Sequence, residues 1–243
     1  MHLAGLEPAA LALVALALLV GAAVQSIVGL GVGLVAAPVI TLTEPELMPG
    51  VMLVLALLLP CVTLVHEHHD IDWRGLNWSL PSRVLGTVGG VWVVAHFTAG
   101  QLGVFIGTIV LVAVLLTWRA VTVPINRSTL SAAGFVSGVT GTATSIGGPP
   151  FALLYQHRPA TQIRTTMAVY FLLGAAFSLV GLAVSGDLTL HQVSVAALLA
   201  PMIVFGVLVG VPLRRRLPAH VVRPAVLLVS GLSALVLVVR SLI

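Results

Sequence analysis

Two hydrophobic stretches of this chain are interrupted by small and neutral polar residues. Gln25 and Ser26 precede the first interruption, followed by Gly29, Gly31, Gly33 and then Pro38. The second holds Ser137, Thr140, Gly141, Thr142, Thr144, Ser145, Gly147, Gly148 and Pro149. Such hydroxyls and amides suit an oxyanion better than a metal cation, which wants carboxylate or imidazole ligands. Backbone that leaves the helix at membrane depth is tolerated where protein shields it or where it lines a cavity. Both breaks are therefore candidate walls of a substrate site.

The breaks have a direction. Proline favours the first turn of a helix, so Pro149-Pro150 is expected to start a half-helix over Phe151–Tyr155, and Pro38 another at Val39-Ile40. Each half-helix would point its N-terminus, with free N–H groups and a positive dipole end, at the membrane centre. Arg83 is the one arginine well inside a hydrophobic block. Ser79 and Pro81 read as a helix start, so the side chain is expected to snorkel to the interface. The alternative is a cation facing substrate at a vestibule.

Other chemistry finds little support. His66-Glu67-His68-His69-Asp70-Ile71-Asp72 has Asp70 where a zinc-protease H-E-x-x-H helix needs histidine. It reads as a solvated loop beside Trp73 and Trp78; a metal-gathering loop of a divalent-metal permease is the rival. No nucleophile elbow, P-loop or dinucleotide cradle stands in a strand–helix context. No catalytic residue, metal site, cofactor or ATPase module is expected, and a non-transporting membrane enzyme or assembly factor ranks last. Cys61 is the single cysteine, expected to be a buried, inert thiol.

The elements that must carry the breaks are membrane segments. Hydrophobic types make up 59% of 243 residues and charged types only 7%, against about 25% charged in soluble domains. All eleven basic residues are arginines, set singly or in short groups between apolar runs. They read as membrane flanks, not as a nucleic-acid footprint. The N-terminus lacks the positive charge of a signal peptide and is kept in the mature chain. Eight blocks are visible, at about Pro8–Leu42, Gly50–Val65, Leu76–Phe97, Leu102–Trp118, Leu130–Tyr155, Thr165–Ser185, Val193–Val211 and Val222–Val239.

The two broken blocks align. An offset of 112 sets Gly29 on Gly141 and Pro38 on Pro150; an offset of 120 sets Pro81, Gly86 and Gly90 on Pro201, Gly206 and Gly210. The expected fold is one all-α polytopic transport domain over 1–243. It has two pseudo-symmetric four-segment repeats, about 1–120 and 128–243, each beginning with a Gly/Pro-broken helix. Paired broken segments of this kind flank substrate sites in transporters. If both broken blocks re-enter, Arg74, Arg119, Arg127, Arg158, Arg164, Arg214, Arg215, Arg216 and Arg223 share one face, with Arg240 opposite. That fits the cytoplasmic enrichment of arginine better than eight crossings do. Both termini are then expected outside an inner membrane. The run Ala9–Val28, long enough to cross alone, is the competing consideration.

No carboxylate lies deep in any block, so a buried proton relay is not visible. Export of an anion needs none: with the cell interior negative, each exported charge gains about 2.3 kcal/mol per 100 mV.

The Gly29–Pro38 break, the duplicated four-block layout and the run GFVSGVTGTATSIGGPPFALLYQHRP at Gly134–Pro159 resemble the sulfite exporter family of the TauE/SafE type. The resemblance covers most of the chain. In this sequence Val32 interrupts the first glycine cluster, and Thr142-Ala143-Thr144-Ser145 replaces glycines in the second. The resemblance implies transport of sulfite or an organosulfonate. The expected partners are a small anion and the lipid bilayer, without nucleic acid; the oligomeric state stays open. The expected site is Gln25, Ser26, Gly29, Gly31, Gly33, Pro38, Arg83, Gly141, Thr142, Thr144, Ser145, Gly147, Gly148 and Pro149.

Overall fold

The computed structural model describes residues 7–28, 32–118, 123–213 and 219–242, so Gly29 and Gly31 lie outside the described residues. Among those residues the regular elements are helices, without strands, in the order α1 Pro8–Val28, α2 Val32–Thr43, α3 Gly50–Leu55, α4 Leu58–His66, α5 Trp73–His96, α6 Ala99–Trp118, α7 Arg127–Thr144, α8 Gly148–Tyr155, α9 Ala160–Ser185, α10 Leu190–Leu213 and α11 Ala219–Leu242. A single 3-10 turn, Pro45–Leu47, links α2 to α3. Among the described residues five helices, α1, α6, α9, α10 and α11, are long and apolar enough to cross a membrane.

Local chemistry sets the boundaries. The Asp72 carboxylate caps α5 by accepting from the Gly75 amide at 2.9 Å. Asn126 and Thr129 form a reciprocal capping box at the start of α7. α9 ends on Gly186 at φ +84°, a left-handed cap that glycine adopts without steric cost.

Two proline expectations need correction. α5 begins at Trp73, so Pro81 lies in its interior and not at a helix start. α2 begins at Val32, so Pro38 sits inside it and does not open it. There it removes the amide that would have bonded the Leu34 carbonyl. The block Gly50–Val65, expected to be continuous, is interrupted between α3 and α4 at Ala56-Leu57. Pro60, four residues after Ala56, explains this: it offers no N–H, and its ring crowds the Ala56 carbonyl. Cys61, next to it on α4, is exposed and not buried as expected.

The main pairings are α5 with α7, α1 with α10, and α6 with α11. Small residues permit the close approach. A Cβ on Gly86 would stand 2.1 Å from the Phe135 carbonyl oxygen, and one on Gly206 2.4 Å from that of Leu19. The core divides accordingly. One cluster is aliphatic and joins α1, α2, α3, α6, α10 and α11 around residues such as Leu18, Ile40 and Ile203. The other joins α5, α7, α8 and α9 around Phe151, Tyr155 and Tyr170. Large apolar side chains also face outward, among them Leu85, Val180, Phe205 and Leu232. That is the surface a bilayer solvates.

Candidate functional site

The two breaks meet. A Cβ on Gly33, just past the first, would lie 3.4 Å from the Ser145 carbonyl oxygen and 3.2 Å from an Ile146 side-chain carbon in the second. A cavity of about 120 Å³ opens beside this junction. That is many times the ~10–15 Å³ one water needs and below the ~300–1,000 Å³ of drug-sized pockets, so its scale is that of a small ion.

Eight of the expected site residues line the cavity. Gln25 and Gly33 come from the first break. Gly141, Ser145, Gly147, Gly148 and Pro149 come from the second, and Arg83 from α5. Residues of α3 and α4, among them Met52, Leu55 and Leu59, form an apolar wall with Ile203 of α10 and Phe171 of α9. Sequence reasoning missed this wall. Pro60, which also lines the cavity, was its one available signal.

Arg83 does not snorkel. The residue is only 3% exposed. Its Nη1 donates to Ser137 Oγ at 3.1 Å, and Ser137 Oγ in turn donates to the Gly147 carbonyl in the break. The guanidinium carbon lies 4.4 Å from the centre of the Tyr170 ring, a cation–π contact. Nε has no hydrogen-bond partner among the described residues. Gly174 makes room for the group: a Cβ there would stand 1.9 Å from the guanidinium carbon. Among the described residues the only ion pair is Arg164–Glu67, at 2.7 Å. Asp72, the carboxylate on the same helix, is eleven residues away, roughly 16 Å along the axis. It is occupied by the Gly75 amide and by the Tyr155 hydroxyl, which donates to it at 2.8 Å. Phe151 stacks on Tyr170 with centroids 3.8 Å apart and packs against Tyr155. An aromatic column thus separates the guanidinium from that carboxylate.

The break in front of α8 is held by side chains. Ser145 adopts a left-handed φ of 61° and donates to the Pro49 carbonyl at 3.1 Å. The Thr144 hydroxyl donates to Thr140 O and accepts from the Ile146 amide. Helix α8 starts at Gly148, with Pro149 and Pro150 in its first turn, as expected. Neither proline carries an N–H, so this helix start offers fewer amides than its dipole direction suggested. At the first break Gln25 Oε1 accepts from the Val32 amide at 3.0 Å and caps α2.

The remaining expected residues that are described lie off the cavity. Ser26 bonds back to Ala22 O, and its Cβ lies beside Gly210. Pro38 is buried within α2. Thr142 shares a hydrogen bond with Ser178 Oγ at 2.7 Å, and Thr144 caps the break from within. In the His66–Asp72 loop, Glu67 pairs with Arg164 and Asp72 caps α5. Among the described residues no group of three or more His, Cys, Asp or Glu is placed to hold a metal ion.

A bundle of apolar helices with a buried, carboxylate-free arginine in a small internal cavity defines a class: a multi-pass membrane protein built to handle a small solute. The particular family follows from the sequence. The family model described as "Sulfite exporter TauE/SafE" matches residues 13–237, and the chain belongs to that family. It is therefore a membrane transporter protein of the kind that handles sulfite-type anions. No curated protein and no solved structure matches the chain significantly.

Proposed function

We propose that the chain is a secondary transporter that exports a small sulfur-containing anion, sulfite or an organosulfonate, across the inner membrane. The cavity between the breaks is its central site. The observation that carries this is Arg83, buried on the cavity wall with one nitrogen unpartnered and the other described residues around it neutral. An uncompensated buried cation is costly, and an anionic substrate supplies the missing partner. Gln25 and the amide of Gly148 add neutral donors, Ser145 adds one when its hydroxyl turns from the Pro49 carbonyl, and Gly33, Gly141 and Gly147 keep the backbones close. No catalytic step is assigned.

Several contacts support the inverted duplication over about 1–120 and 128–243. α7 starts with Arg127 over the Trp78 ring, near the start of α5. α8 returns from Gly147, beside Ser137, to Tyr155 at Asp72, the start of α5 again. That is a hairpin entering and leaving at one end. The first hairpin is its counterpart at the other end. α1 runs alongside α10, with Leu19 at Gly206 and Ala23 at Gly210. α2 then returns toward the start of α10, where Gln192 Nε2 donates to the Glu46 carbonyl just beyond it. Arg74, Arg127 and Arg164 share the end at which α5, α7 and α9 begin, as the Arg164–Glu67 pair and the Thr166–Asp72 bond indicate. We assign that end to the cytoplasm, with both termini outside.

The test is flux of radiolabelled sulfite from proteoliposomes. Efflux should rise as the vesicle interior is made more negative and should fall by about 100-fold or more in Arg83→Gln. Undiminished flux in a folded Arg83→Gln protein overturns the site. Efflux that rises with a positive interior overturns potential-driven export.

A further inference from the structure

We infer that the cavity selects by charge, favouring singly charged over doubly charged anions; the inference rests on the anion-transport reading above. The cavity wall carries one fixed charge. Among the described residues that line it Arg83 is the only ionic one, the others being apolar or neutral. The duplication offset of 120 pairs Arg83 with Ile203, which lines the same cavity. The position where symmetry would have placed a second cation is therefore aliphatic.

The two helix starts do little to supply a second positive charge. The Val32 amide of α2 is already taken by Gln25, and two of the first three residues of α8 are prolines without N–H. Met52, Leu53, Leu55, Ile146 and Phe171 make the surroundings apolar. In such an enclosure a net charge is expensive. A monoanion against Arg83 leaves a neutral pair. A dianion leaves one uncompensated negative charge, and the site has few donors to spread it.

The ligand class is then a compact monoanion: hydrogensulfite, or a short alkylsulfonate whose carbon end meets the apolar wall. Sulfate and fully ionised sulfite are disfavoured. Sulfite changes charge near neutrality, so its binding should weaken as pH rises through its second ionisation. That dependence belongs to the ligand. The residues meeting Arg83 are Ser137 and Gly141 of α7 and Tyr170 and Gly174 of α9. Tyr170 is the one titratable side-chain type among them.

The experiment is calorimetric titration of the full chain in lipid nanodiscs with methanesulfonate, sulfate and sulfite. Sulfite is titrated one unit below and one unit above its second ionisation. Methanesulfonate should bind at least about tenfold more tightly than sulfate, which matches it closely in size. Sulfite should lose about tenfold across the two conditions, following its singly charged fraction, while methanesulfonate stays unchanged. Sulfate binding as tightly as methanesulfonate overturns charge selection and leaves the anion site standing. Protein that stays folded, as judged by its melting transition, yet binds none of the three overturns the anion-transport reading itself.

Discussion

The two halves of the core solve the same geometric problem with different chemistry. Around α5, α7 and α9 the described buried polar residues are numerous: Ser79, Arg83, Thr87, Ser137, Thr140, Thr142, Thr144, Thr165, Thr166 and Ser178. Around α1, α2, α10 and α11 they are only Thr41, Gln192 and Ser230. Both sides pack a helix against a broken hairpin through glycines. Only one side places a charge at the junction. We read the aliphatic side as the fixed jaw and the polar side as the jaw that recognises the solute. On the duplication proposed above, divergence placed the charge on one copy only.

The sharpest way to break this comparison is to treat mates alike. Arg83→Gln should lower flux by about 100-fold or more, the scale of losing a charged hydrogen-bond partner worth about 3 kcal/mol. The empty protein should melt at the same or a higher temperature, because an unpaired buried charge has gone. Ile203→Val should cost only about 0.5–1.5 kcal/mol of stability and leave flux per folded molecule nearly intact. Flux in reconstituted vesicles, with thermal melts alongside, checks both. Equal losses at the two positions would erase the proposed asymmetry.

Making the halves alike from the other direction sharpens it. Ile203→Lys adds a second cation to the cavity, and discrimination against sulfate should shrink by about tenfold, measured as the ratio of methanesulfonate to sulfate affinity. Glycines give a comparable contrast. Gly174→Ala drives a Cβ into the guanidinium and should cut flux per folded molecule by about tenfold, together with ~1–3 kcal/mol of overpacking. Gly206→Ala meets the Leu19 carbonyl and Ala22 instead. It should cost similar stability, with flux falling only as the folded amount falls.

The same asymmetry explains what could be read from the sequence. Both breaks were legible, because glycine clusters and Pro149-Pro150 are local signals. The helical architecture followed from block length and apolarity. Arg83 was legible as an outlier but not in its placement. Pro81 suggested a helix start, whereas the true start is fixed by an Asp72 cap two turns earlier, so the depth was misjudged. The burial of Arg83 depends on Gly174, ninety-one residues away, vacating the space. No local pattern reports that. The wall from α3 and α4 was hidden because a proline kink in an apolar run has one residue as its signature, and Pro38 and Pro81 show that a proline of this chain can sit mid-helix as well as at a start.

Thr144 and Ser145 test the comparison most finely. The sequence alone reads both as oxyanion ligands. Their geometries differ. The Thr144 hydroxyl is consumed by Thr140 O and the Ile146 amide. Thr144→Val should therefore cost about 1 kcal/mol of stability, the value of a cap, and leave flux per folded molecule unchanged. Ser145 lines the cavity with its hydroxyl on the Pro49 carbonyl, and its φ of 61° makes valine a backbone test rather than a ligand test. Ser145→Gly separates the two. It relieves the left-handed strain and loses one hydrogen bond of about 1 kcal/mol, so stability should barely move. Flux should fall a few-fold, because the hydroxyl that turns from the Pro49 carbonyl to the anion has gone. A Ser145→Gly protein with undiminished flux would leave recognition to Arg83 and its serine relay alone. It would also confine the difference between the two jaws to a single helix pair.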